Sequence, residues 1–581
     1  MTRRKLLLSL ALAATLIPAA LGEELKYKDR LLSELLRKVP AILKTYDAKT
    51  GHFGQGIWIC SDQNVMFPLA VAYSHQAPDN KYFKDKQLLE TIMKAGDALA
   101  ADADKDGKWV FRKKDGSEWG MIRMPWTYSR WIRTFMLIRD DMPADRRRVW
   151  EKALTLGYEG VARSELGRTH NIPTHHAMGL YVAGKTLDKP EWCEKATEFM
   201  RRVVREQSEG GYWSEGFGPV VRYNFVYIDA LGTYYSMSKD KDVLPAIERA
   251  VRFHCLFTYP DGSIVETIDE RNPYHDGAYP ANVGFTLTPA GRALLHNLWP
   301  KVGKGSLPVD LIASLLAHGQ EGPMDTSVVS PGESVEVMTE KGVDRAAILR
   351  HGPWFVCLSA YTAPIPKSRW HQDRQNFVSI FHEKAGLIVG GGNTKLQPAW
   401  SNFTIGDMSL LQHKPGDENP DFLPKGRLLH VPGEARLVRE PQLGLDLTYG
   451  KQVCRIRVQP KDDHRLEMIL SAPGTETSPV AAHLTLIPHM GEALETAGGA
   501  KIRLGDESIS WAPAQVAGRI THGAARLLVP ETASLSWPAL PHNPYRKDGK
   551  SEPSEGRVEI RILFDGQHRQ HTITIEVPDR T

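Results

Sequence analysis

Cysteine is scarce in this chain, with five residues in 581, and no two of them form a CxxC pair. Their wide spacing excludes a disulfide-stapled scaffold and a zinc-finger arrangement. The odd number leaves at least one thiol unpaired unless it bonds another chain. We therefore expect most of them to be buried as small hydrophobic side chains. They are Cys60, Cys193, Cys255, Cys357 and Cys454.

Long apolar runs are equally few, and the first lies at residues 6–17. It follows three basic residues at 3–5 and precedes Ala20-Leu21-Gly22, which has small residues at its first and third places. This pattern predicts a secretory signal peptide over residues 1–22, cleaved before Glu23, and a secreted or periplasmic protein. The run is shorter than the ~20 residues that a membrane span requires. No later segment is long and apolar enough, so we expect no membrane span.

The chain also lacks a large excess of either charge. It has 73 Lys and Arg and 69 Asp and Glu, which gives a formal charge of +4. The leader holds three positive charges and no negative one, so the remainder has a formal charge of +1. A balanced surface of this kind does not indicate binding to nucleic acid. We expect no nucleic-acid partner.

The first half of the chain, from about Leu25 to Gly319, has the periodicity of helices. Over Lys84–Ala101, apolar residues recur every three or four positions, as they do on one face of a helix. Similar stretches fall near 26–46, 127–139, 144–163, 175–185, 190–207, 221–237, 242–257, 284–298 and 307–318. About ten successive helices with short returns predict stacked helical hairpins, as in an (α/α) toroid.

After Gly322 the pattern changes to short alternating runs separated by turn residues, which predicts an antiparallel β-sandwich. The runs are Ser334–Met338, Ala346–Leu349, Trp354–Ala360, Phe377–Phe381, Gly386–Val389, Val453–Val458, Leu466–Leu470, His483–Ile487, Arg557–Phe564 and His571–Val577. Two long polar loops cover 412–425 and 538–556. We therefore predict a multidomain α+β chain with a toroid over 23–322 and a sandwich over 323–581.

Two segments carry side chains suited to proton transfer. The first, His170–His176, holds Asn171 and three histidines ahead of an apolar helical run. The second, Gly211–Phe225, places Arg222 and Tyr223 after three glycines, which permit an irregular backbone and close approach. Free Tyr has a pKa of about 10, so it can act as a base only beside cations. Each segment also has a structural interpretation, as a helix cap, a core histidine or a core tyrosine.

Three further segments combine aromatic and charged side chains. Gly120–Arg133 mixes Trp126 and Arg130 with other aromatic and Arg residues, and aromatic faces and guanidinium groups suit sugar rings and carboxylates. Tyr259–Tyr274 contains a PDG turn followed by Glu266, Asp269, Glu270 and Arg271. Arg369–Asn376 is predicted to begin a strand, on which His371 and Asp373 would project to the same side. Each is equally compatible with a core helix, a solvated loop or a strand edge.

The order of these elements resembles that of the heparinase II/III-like polysaccharide lyases, which include oligoalginate lyases. The shared order is a leader, a helical region, an Asn/His cluster, an EG-x(5)-RY segment, a PDG loop and an H-x-D-x-x-N-F segment in a β region. The resemblance covers nearly the whole mature chain and implies an (α/α) toroid, a β-sandwich and β-elimination of uronate polymers. By the same resemblance, Tyr223 matches the catalytic Tyr, and Asn171 with His175 or His176 matches an Asn-His pair.

The chain departs from the family at the H-x-H-x-D motif, where Arg369 and His371 stand at the two His positions. Further zinc ligands expected from the family, near 389–392 and 400–402, are replaced by VGGG and WSN. We therefore expect neither the structural zinc of many relatives nor any other cofactor. His371 could instead reach the cleft, with Arg369 neutralising charge.

The resemblance implies a site in which Tyr223 is the acid, and also the base if the elimination is syn. In an anti elimination a His becomes the base. The predicted catalytic residues are Tyr223, His175, His176, Asn171 and His371. The predicted substrate-binding residues are Arg222, Arg369, Trp126, Arg130, Trp213, Glu215, Asp269 and Arg271. The expected partner is an anionic polysaccharide or oligosaccharide.

Two alternative functions remain open at this point. One is a glycoside hydrolase on the same toroid, using Glu215 with Asp269 or Glu270 as paired carboxylates. The other is a non-catalytic carbohydrate-binding protein of the cell envelope. The product distinguishes them, because hydrolysis creates reducing ends without a new double bond and binding creates no product.

Overall fold

The computed structural model describes residues 23–329, 332–411, 416–423, 426–474 and 479–579. The signal peptide predicted for residues 1–22 lies outside the described residues, as does part of the long loop predicted over 412–425. All five cysteines are free and four of them are buried, which confirms that they do not form a disulfide scaffold. Among the described residues, none of the helices combines the length and the apolar character that crossing a membrane would take.

The helices of the first half pair into hairpins, and those of the toroid end at His318. They are α1 Lys28–Leu43, α2 Met66–Ser74, α3 Lys86–Asp102, α4 Pro125–Ile138, α5 Ala144–Ser164, α6 Asn171–Thr186, α7 Pro190–Arg205, α8 Val221–Ser238, α9 Leu244–Leu256, α10 Pro289–Leu298 and α11 Val309–His318. A single helical turn, α12 Pro513–Val516, follows in the β region.

Alternate helices form an inner ring, in which α2 packs on α4, α4 on α6 and α6 on α8. Helix α11 contacts both α1 and α2, so the last hairpin closes on the first. Inner helices are buried over most of their surface, and residues Met66–Tyr73 of α2 are all buried. Outer helices such as α7 keep one buried stripe and a charged face. This closed arrangement confirms the predicted (α/α) toroid.

Short strands begin in the helical half and dominate after Ser334. They are β1 Glu24–Leu25, β2 Trp109–Arg112, β3 Glu118–Ile122, β4 Gly322–Pro323, β5 Ser334–Glu340, β6 Val343–His351, β7 Trp354–Ser359, β8 Val378–His382, β9 Gly386–Val389, β10 Phe403–Ile405, β11 Glu434–Val438, β12 Gly444–Tyr449, β13 Gln452–Asp462, β14 Arg465–Ser471, β15 Val480–Leu486, β16 Ala493–Thr496, β17 Lys501–Arg503, β18 Ile509–Trp511, β19 Arg519–His522, β20 Ala525–Leu528, β21 Ser534–Ala539, β22 Arg557–Phe564 and β23 Gln570–Glu576.

Two large antiparallel sheets face each other and confirm the predicted sandwich. The first has the order β18-β21-β22-β15-β9-β8-β7-β6-β5, with β10 paired to β15, and the second has the order β11-β12-β13-β14-β23-β20-β19-β16-β17. Their inner faces share one apolar core, which includes Val356, Ile456, Leu484 and Ile573. Strands β2 and β3, which lie in the helical half of the chain, form a separate hairpin, and β1 pairs with β4.

The helical region packs against the outer face of the first sheet. Strand β7 shows why, because all six of its residues are buried. Trp354, Val356 and Leu358 point into the sandwich core, whereas Phe355 and Cys357 belong to a second apolar cluster with Phe253 and Tyr259 of the helical region. The sequence of a strand that is covered on both faces is a continuous apolar run. The first sheet is thus the middle layer of three.

The segment around His371 differs from its prediction, because 368–377 forms no strand and has only one isolated bridge, between Asp373 and Thr394. Its backbone is held by side chains instead of a neighbouring strand. The amides of Gln375 and Asn376 both donate to Asn393 Oδ1 at 3.0 Å. Without strand alternation, His371 and Asp373 do not share a face and serve different contacts.

Candidate active site

Tyr223 lies in the first turn of α8, on a helix start that is capped from a distant loop. The carboxylate of Asp269 accepts the Val221 N–H at 2.7 Å, and its other oxygen accepts the Arg271 and Asn272 N–H groups at 2.7 Å. Asp269 is 1% exposed, so this predicted substrate contact instead organises the backbone around Tyr223. Burial of the Tyr223 ring raises its pKa above the usual value, and Arg271 opposes this.

The phenol of Tyr223 meets a second tyrosine and a guanidinium group. Its hydroxyl lies 3.1 Å from the hydroxyl of Tyr545, which belongs to the loop between β21 and β22. The Arg271 guanidinium carbon lies 4.9 Å from the centre of the Tyr223 ring and 5.2 Å from that of Trp370. Tyr223 and Arg271, both predicted as site residues, are therefore in contact.

A hydrogen-bond network around Glu215 joins the start of α6 to α8. Oε2 of Glu215 lies 3.0 Å from Nδ1 of His170, while Oε1 accepts the Asn171 N–H at 3.0 Å and the Tyr227 hydroxyl at 2.6 Å. Although burial raises the pKa of Glu215, the hydrogen bonds from His170, Tyr227 and Asn171 outweigh it and hold the pKa below the usual value. Glu215 is therefore an ionised carboxylate that orients other groups.

The first turn of α6 presents His170 and Asn171 together. His170 is its N-cap residue and keeps 24% of its side chain exposed. Asn171 accepts the Ile172 N–H at Oδ1. Within the described ranges, neither Nε2 of His170 nor Nδ2 of Asn171 has a protein hydrogen-bond partner. Tyr227 lies one turn after Tyr223 on the same face of α8, so the network brings these two atoms to the side of the helix that carries Tyr223.

His175 and His176, both predicted as catalytic, are 2% exposed and lie in the core of the toroid. His175 stacks on Trp126 with ring centres 5.2 Å apart, and its Nε2 accepts from Arg130 at 3.1 Å. Burial, together with Arg130, lowers the pKa of His175 well below the usual value. Burial lowers that of His176 to about 3. Both imidazoles are neutral, and neither contacts Tyr223 in the described residues.

His371 stands against the glycine segment before α8. Its Nδ1 lies 3.7 Å from Oε1 of the buried Glu270, and 26% of its side chain is exposed. A methyl group on Gly216 would lie 2.9 Å from the His371 ring and 3.1 Å from Oε1 of Glu270. Oε2 of Glu270 accepts the Phe217 N–H at 2.6 Å. The glycine thus permits the approach of an imidazole from the β region to the loop that carries Glu215.

Arg369 and Arg222, both predicted to bind substrate, make their contacts away from the Tyr223 hydroxyl. The Arg369 guanidinium donates to the backbone oxygens of Pro544, Arg546 and Lys547, so it holds the loop that carries Tyr545. Arg222 lines a small cavity with His275 on the far side of the helix start from Tyr223. This follows from geometry, since consecutive helix residues do not share a face.

The remaining predicted binding residues are largely structural. Arg130 is buried and forms a bidentate ion pair with Asp310, with Nε 3.0 Å from Oδ1. Trp213 is 1% exposed, donates to the Val203 carbonyl and stacks on Tyr227 at 4.8 Å. Trp126 is half-buried and covers His175.

The segment at which the sequence resemblance would place a zinc site holds a buried ion cluster. The carboxylate of Asp373 lies 2.8 Å from Nζ of Lys395 and 3.0 Å from Nε2 of His430, and all three side chains are at most 1% exposed. Among the described residues there is no group of three or more His, Cys, Asp or Glu arranged to hold a metal. An ammonium ion beside one carboxylate and one imidazole does not fit the ligand set of zinc.

The fold is that of the heparinase-like polysaccharide lyases, which confirms at the level of fold the resemblance found in the sequence. Heparinase III matches with a TM-score of 0.53 and 10% identity, over 97% of this chain and 86% of its own. Chondroitinase AC lyase matches at 0.51 and 12%, over 95% and 83%. A Paenibacillus xanthan lyase matches at 0.52 and 11%, over 95% of this chain and 57% of its own. No protein-family model and no curated protein sequence matches the chain.

Sequence reasoning missed His170, Tyr227 and Tyr545. His170 could have been recognised because it is adjacent to Asn171, but the two residues stand in the reverse order to the Asn-His pair of the family. Tyr227 had the signal of helical spacing, four residues after Tyr223. Tyr545 had none, because 322 residues separate it from Tyr223.

Proposed function

We propose that this chain is a polysaccharide lyase that cleaves a uronate polymer by β-elimination and leaves an unsaturated uronate at the new end. One observation carries the proposal. The Glu215 network joins His170 and Asn171 to the helix of Tyr223, within a fold that polysaccharide lyases share. A base, an amide and an acid are thereby available on neighbouring elements.

β-Elimination from a uronate has three requirements. A base removes the proton on C5, and negative charge develops on the adjacent carboxyl group at C6. The bond between C4 and O4 then breaks as C4 and C5 form a double bond, and an acid protonates the departing O4. Donors beside the carboxyl group stabilise the developing charge.

His170 is the proposed base. Its Nδ1 faces the Glu215 carboxylate, which can only accept a hydrogen bond, so the proton is on Nδ1 and the lone pair is on Nε2. The free Nε2 can therefore take the C5 proton. The charge of Glu215 then stabilises the imidazolium that forms.

Tyr223 is the proposed acid. Burial raises its pKa, so the phenol is protonated at neutral pH and carries the proton that O4 requires. In this scheme the syn mechanism, in which Tyr223 also acts as the base, is not needed, because the two proton transfers have separate residues.

Asn171 and Arg271 are the proposed donors to the C6 carboxyl group. Asn171, whose Nδ2 would donate, is adjacent in the chain to the proposed base His170. Arg271 is a cation in contact with Tyr223. His371, predicted from the sequence as catalytic, is here proposed as a substrate contact, because it is part-exposed and lies against the loop of Glu215. The proposed partner is an anionic polysaccharide or oligosaccharide, and export through residues 1–22 is part of the proposal.

The hydrolase alternative gains no support from the carboxylates that it needs. Glu215 accepts three hydrogen bonds from protein groups, Asp269 accepts three from backbone N–H groups alone, and Asp269 and Glu270 are 1% exposed. Paired catalytic carboxylates must flank the glycosidic bond and face it. These three instead hold the backbone of the loops that carry the other candidate residues.

A screen across uronate polymers tests the function. Alginate, glucuronan, ulvan, heparan-type chains and hyaluronan would each be incubated with the protein, and the ultraviolet absorbance of the unsaturated product measured. We expect one or more to give that absorbance, and Tyr223→Phe to abolish it while the circular dichroism spectrum is unchanged. Tyr235→Phe, which removes a hydroxyl from the other end of α8, is the matched control and should keep full activity.

Other outcomes would contradict the proposal in distinct ways. New reducing ends without the absorbance would indicate hydrolysis, and binding without any product would indicate a carbohydrate-binding protein. Full activity in Tyr223→Phe would remove Tyr223 from the mechanism.

A further inference from the structure

We propose that Tyr545 is a positioning residue for the acid Tyr223, which it holds with its proton directed toward the substrate. The inference rests on the proposed function and goes beyond it, because it gives the β region a part in the chemistry. Tyr545 belongs to the 540–556 loop between β21 and β22, whereas Tyr223 belongs to α8 of the toroid.

The hydrogen-bond donors around Tyr545 determine the direction of its proton. Nε of Arg271 lies 3.2 Å from the Tyr545 hydroxyl oxygen and can only donate to it. The single proton of Tyr545 is then left for Tyr223, at 3.1 Å, or for Oδ1 of Asn272, at 3.4 Å. In the proposed arrangement Tyr545 donates across the shorter of these contacts, to Tyr223, whose own proton is then the one that O4 accepts.

This direction has a consequence for the acid. If the oxygen of Tyr223 accepts from Tyr545, the proton of Tyr223 cannot lie between the two oxygens. It points away from Tyr545 and is available for transfer to O4. When the bond between C4 and O4 breaks, O4 takes this proton and Tyr223 becomes a phenolate. The chain from Arg271 through Tyr545 then stabilises that phenolate, because hydrogen bonds to a charged oxygen are stronger than those to a neutral one.

The loop that carries Tyr545 is held against the toroid by contacts beyond this hydroxyl. Nζ of Lys113, in the loop between β2 and β3, donates to the Tyr545 carbonyl oxygen. The Arg369 guanidinium donates to the carbonyl oxygens on either side, at Pro544 and Arg546. The Trp370 ring lies 6.2 Å from that of Tyr545. Tyr545→Phe keeps all of these contacts and removes only the hydroxyl.

Leaving-group dependence separates positioning of the acid from a structural role. On the polymer with the highest kcat/KM in the screen, we expect Tyr545→Phe to lower kcat by about 10- to 100-fold with little change in KM. In a uronate that carries a 4-nitrophenyl group on O4, the leaving group is 4-nitrophenolate, which departs without protonation. The variant should therefore cleave this substrate at nearly the wild-type rate. A structural defect would slow both substrates alike.

A double variant tests whether Tyr545 acts through Tyr223. Tyr223→Phe alone and Tyr223→Phe with Tyr545→Phe should cleave the nitrophenyl substrate at the same rate, since this substrate needs no acid and the second hydroxyl has no acid left to position.

Two results would overturn the inference while leaving the proposed function in place. One is wild-type kcat on the polymer in Tyr545→Phe when Tyr223→Phe is inactive. The other is an equal loss on the polymer and on the nitrophenyl substrate. Full activity in Tyr223→Phe would instead mark the failure of the proposed function itself.

Discussion

The Nδ1 atom of His170 lies 3.0 Å from Oε2 of Glu215, and this contact ties the start of α6 to the loop before α8. The side chain of Glu215 is 4% exposed, whereas the imidazole of His170 remains part-exposed. A buried anion therefore fixes the tautomer of a histidine whose other nitrogen is accessible. Such a pairing is typical of a general base held in one orientation.

Glu215→Gln tests this relationship. The amide oxygen can still accept from Tyr227 and from the Asn171 N–H, but the amide nitrogen would face Nδ1 and donate to it. The imidazole proton would then move to Nε2, where the base is needed. We expect kcat to fall by about 10²- to 10⁴-fold, the usual contribution of a general base, with a smaller change in KM. Steady-state kinetics on the preferred polymer measure the effect.

The control for this substitution is Glu198→Gln, on the exposed face of α7, which should leave kcat unchanged. A folded Glu215→Gln variant with kcat within twofold of the wild type would show that His170 is not the base.

The fold could be predicted from the sequence because most of its elements carry their own pattern. The periodicity of Lys84–Ala101 gave α3, and the alternating or apolar runs at Gly386–Val389 and Arg557–Phe564 coincide with β9 and β22. Helix α2 was missed because it is apolar on every side and therefore has no periodicity. Strands β16 and β17 were missed because they hold only one or two apolar residues each, whereas the equally short β9 is an apolar run.

The candidate site could be predicted only in part, since contacts between distant segments leave no local signal. Tyr223 was found from its neighbours in the chain and from the family resemblance. The choice between His170, His175 and His176 depends on which face of α6 each occupies and how deeply it is buried, and the sequence gives only their spacing. Tyr545 and Glu270 meet the other site residues through the packing of the first sheet on the toroid.

The buried histidines predict a loss of stability in mild acid. Burial lowers the pKa of His254 and His318 to about 3, whereas an imidazole in the unfolded chain has a pKa of about 6.5. Between these values the unfolded state binds more protons, so the free energy of unfolding falls as the pH falls below about 6.5. Each such histidine should cost about 2 kcal/mol between pH 7 and pH 5. Urea denaturation at the two pH values measures the loss.

His254→Gln separates this effect from packing. Asn224 contacts Nε2 of His254 at 3.0 Å, and Phe225 stacks on its ring at 3.9 Å, so the variant should be less stable than the wild type at pH 7. The further loss on going to pH 5 should nevertheless shrink by about 2 kcal/mol. His75→Gln, at an exposed position, should leave the pH dependence unchanged. An unchanged pH dependence in His254→Gln would contradict the assignment of a neutral imidazole.

The ion cluster of Asp373, Lys395 and His430 predicts a β region that is stable without metal. Burial lowers the pKa of Lys395, and the Asp373 carboxylate opposes this. For Asp373, burial raises the pKa, but hydrogen bonding from His430 and the charge of Lys395 outweigh it and hold the pKa below its usual value. We expect purified protein to contain no tightly bound zinc and to unfold at the same urea concentration with and without a chelator. One zinc per chain by metal analysis would contradict this.

Lys395→Met tests the cluster directly, because it leaves the Asp373 carboxylate in a site that is at most 1% exposed. Removing one partner of a buried ion pair typically costs about 3–5 kcal/mol, and we expect a loss in this range from urea denaturation. Asp373→Asn in the same chain removes the uncompensated charge, so the double variant should recover part of the loss. Lys501→Met breaks an exposed pair with Glu495 and should cost less than about 1 kcal/mol. If Lys395→Met were as stable as Lys501→Met, the ammonium ion would not be what balances Asp373, and another cation would have to take that place.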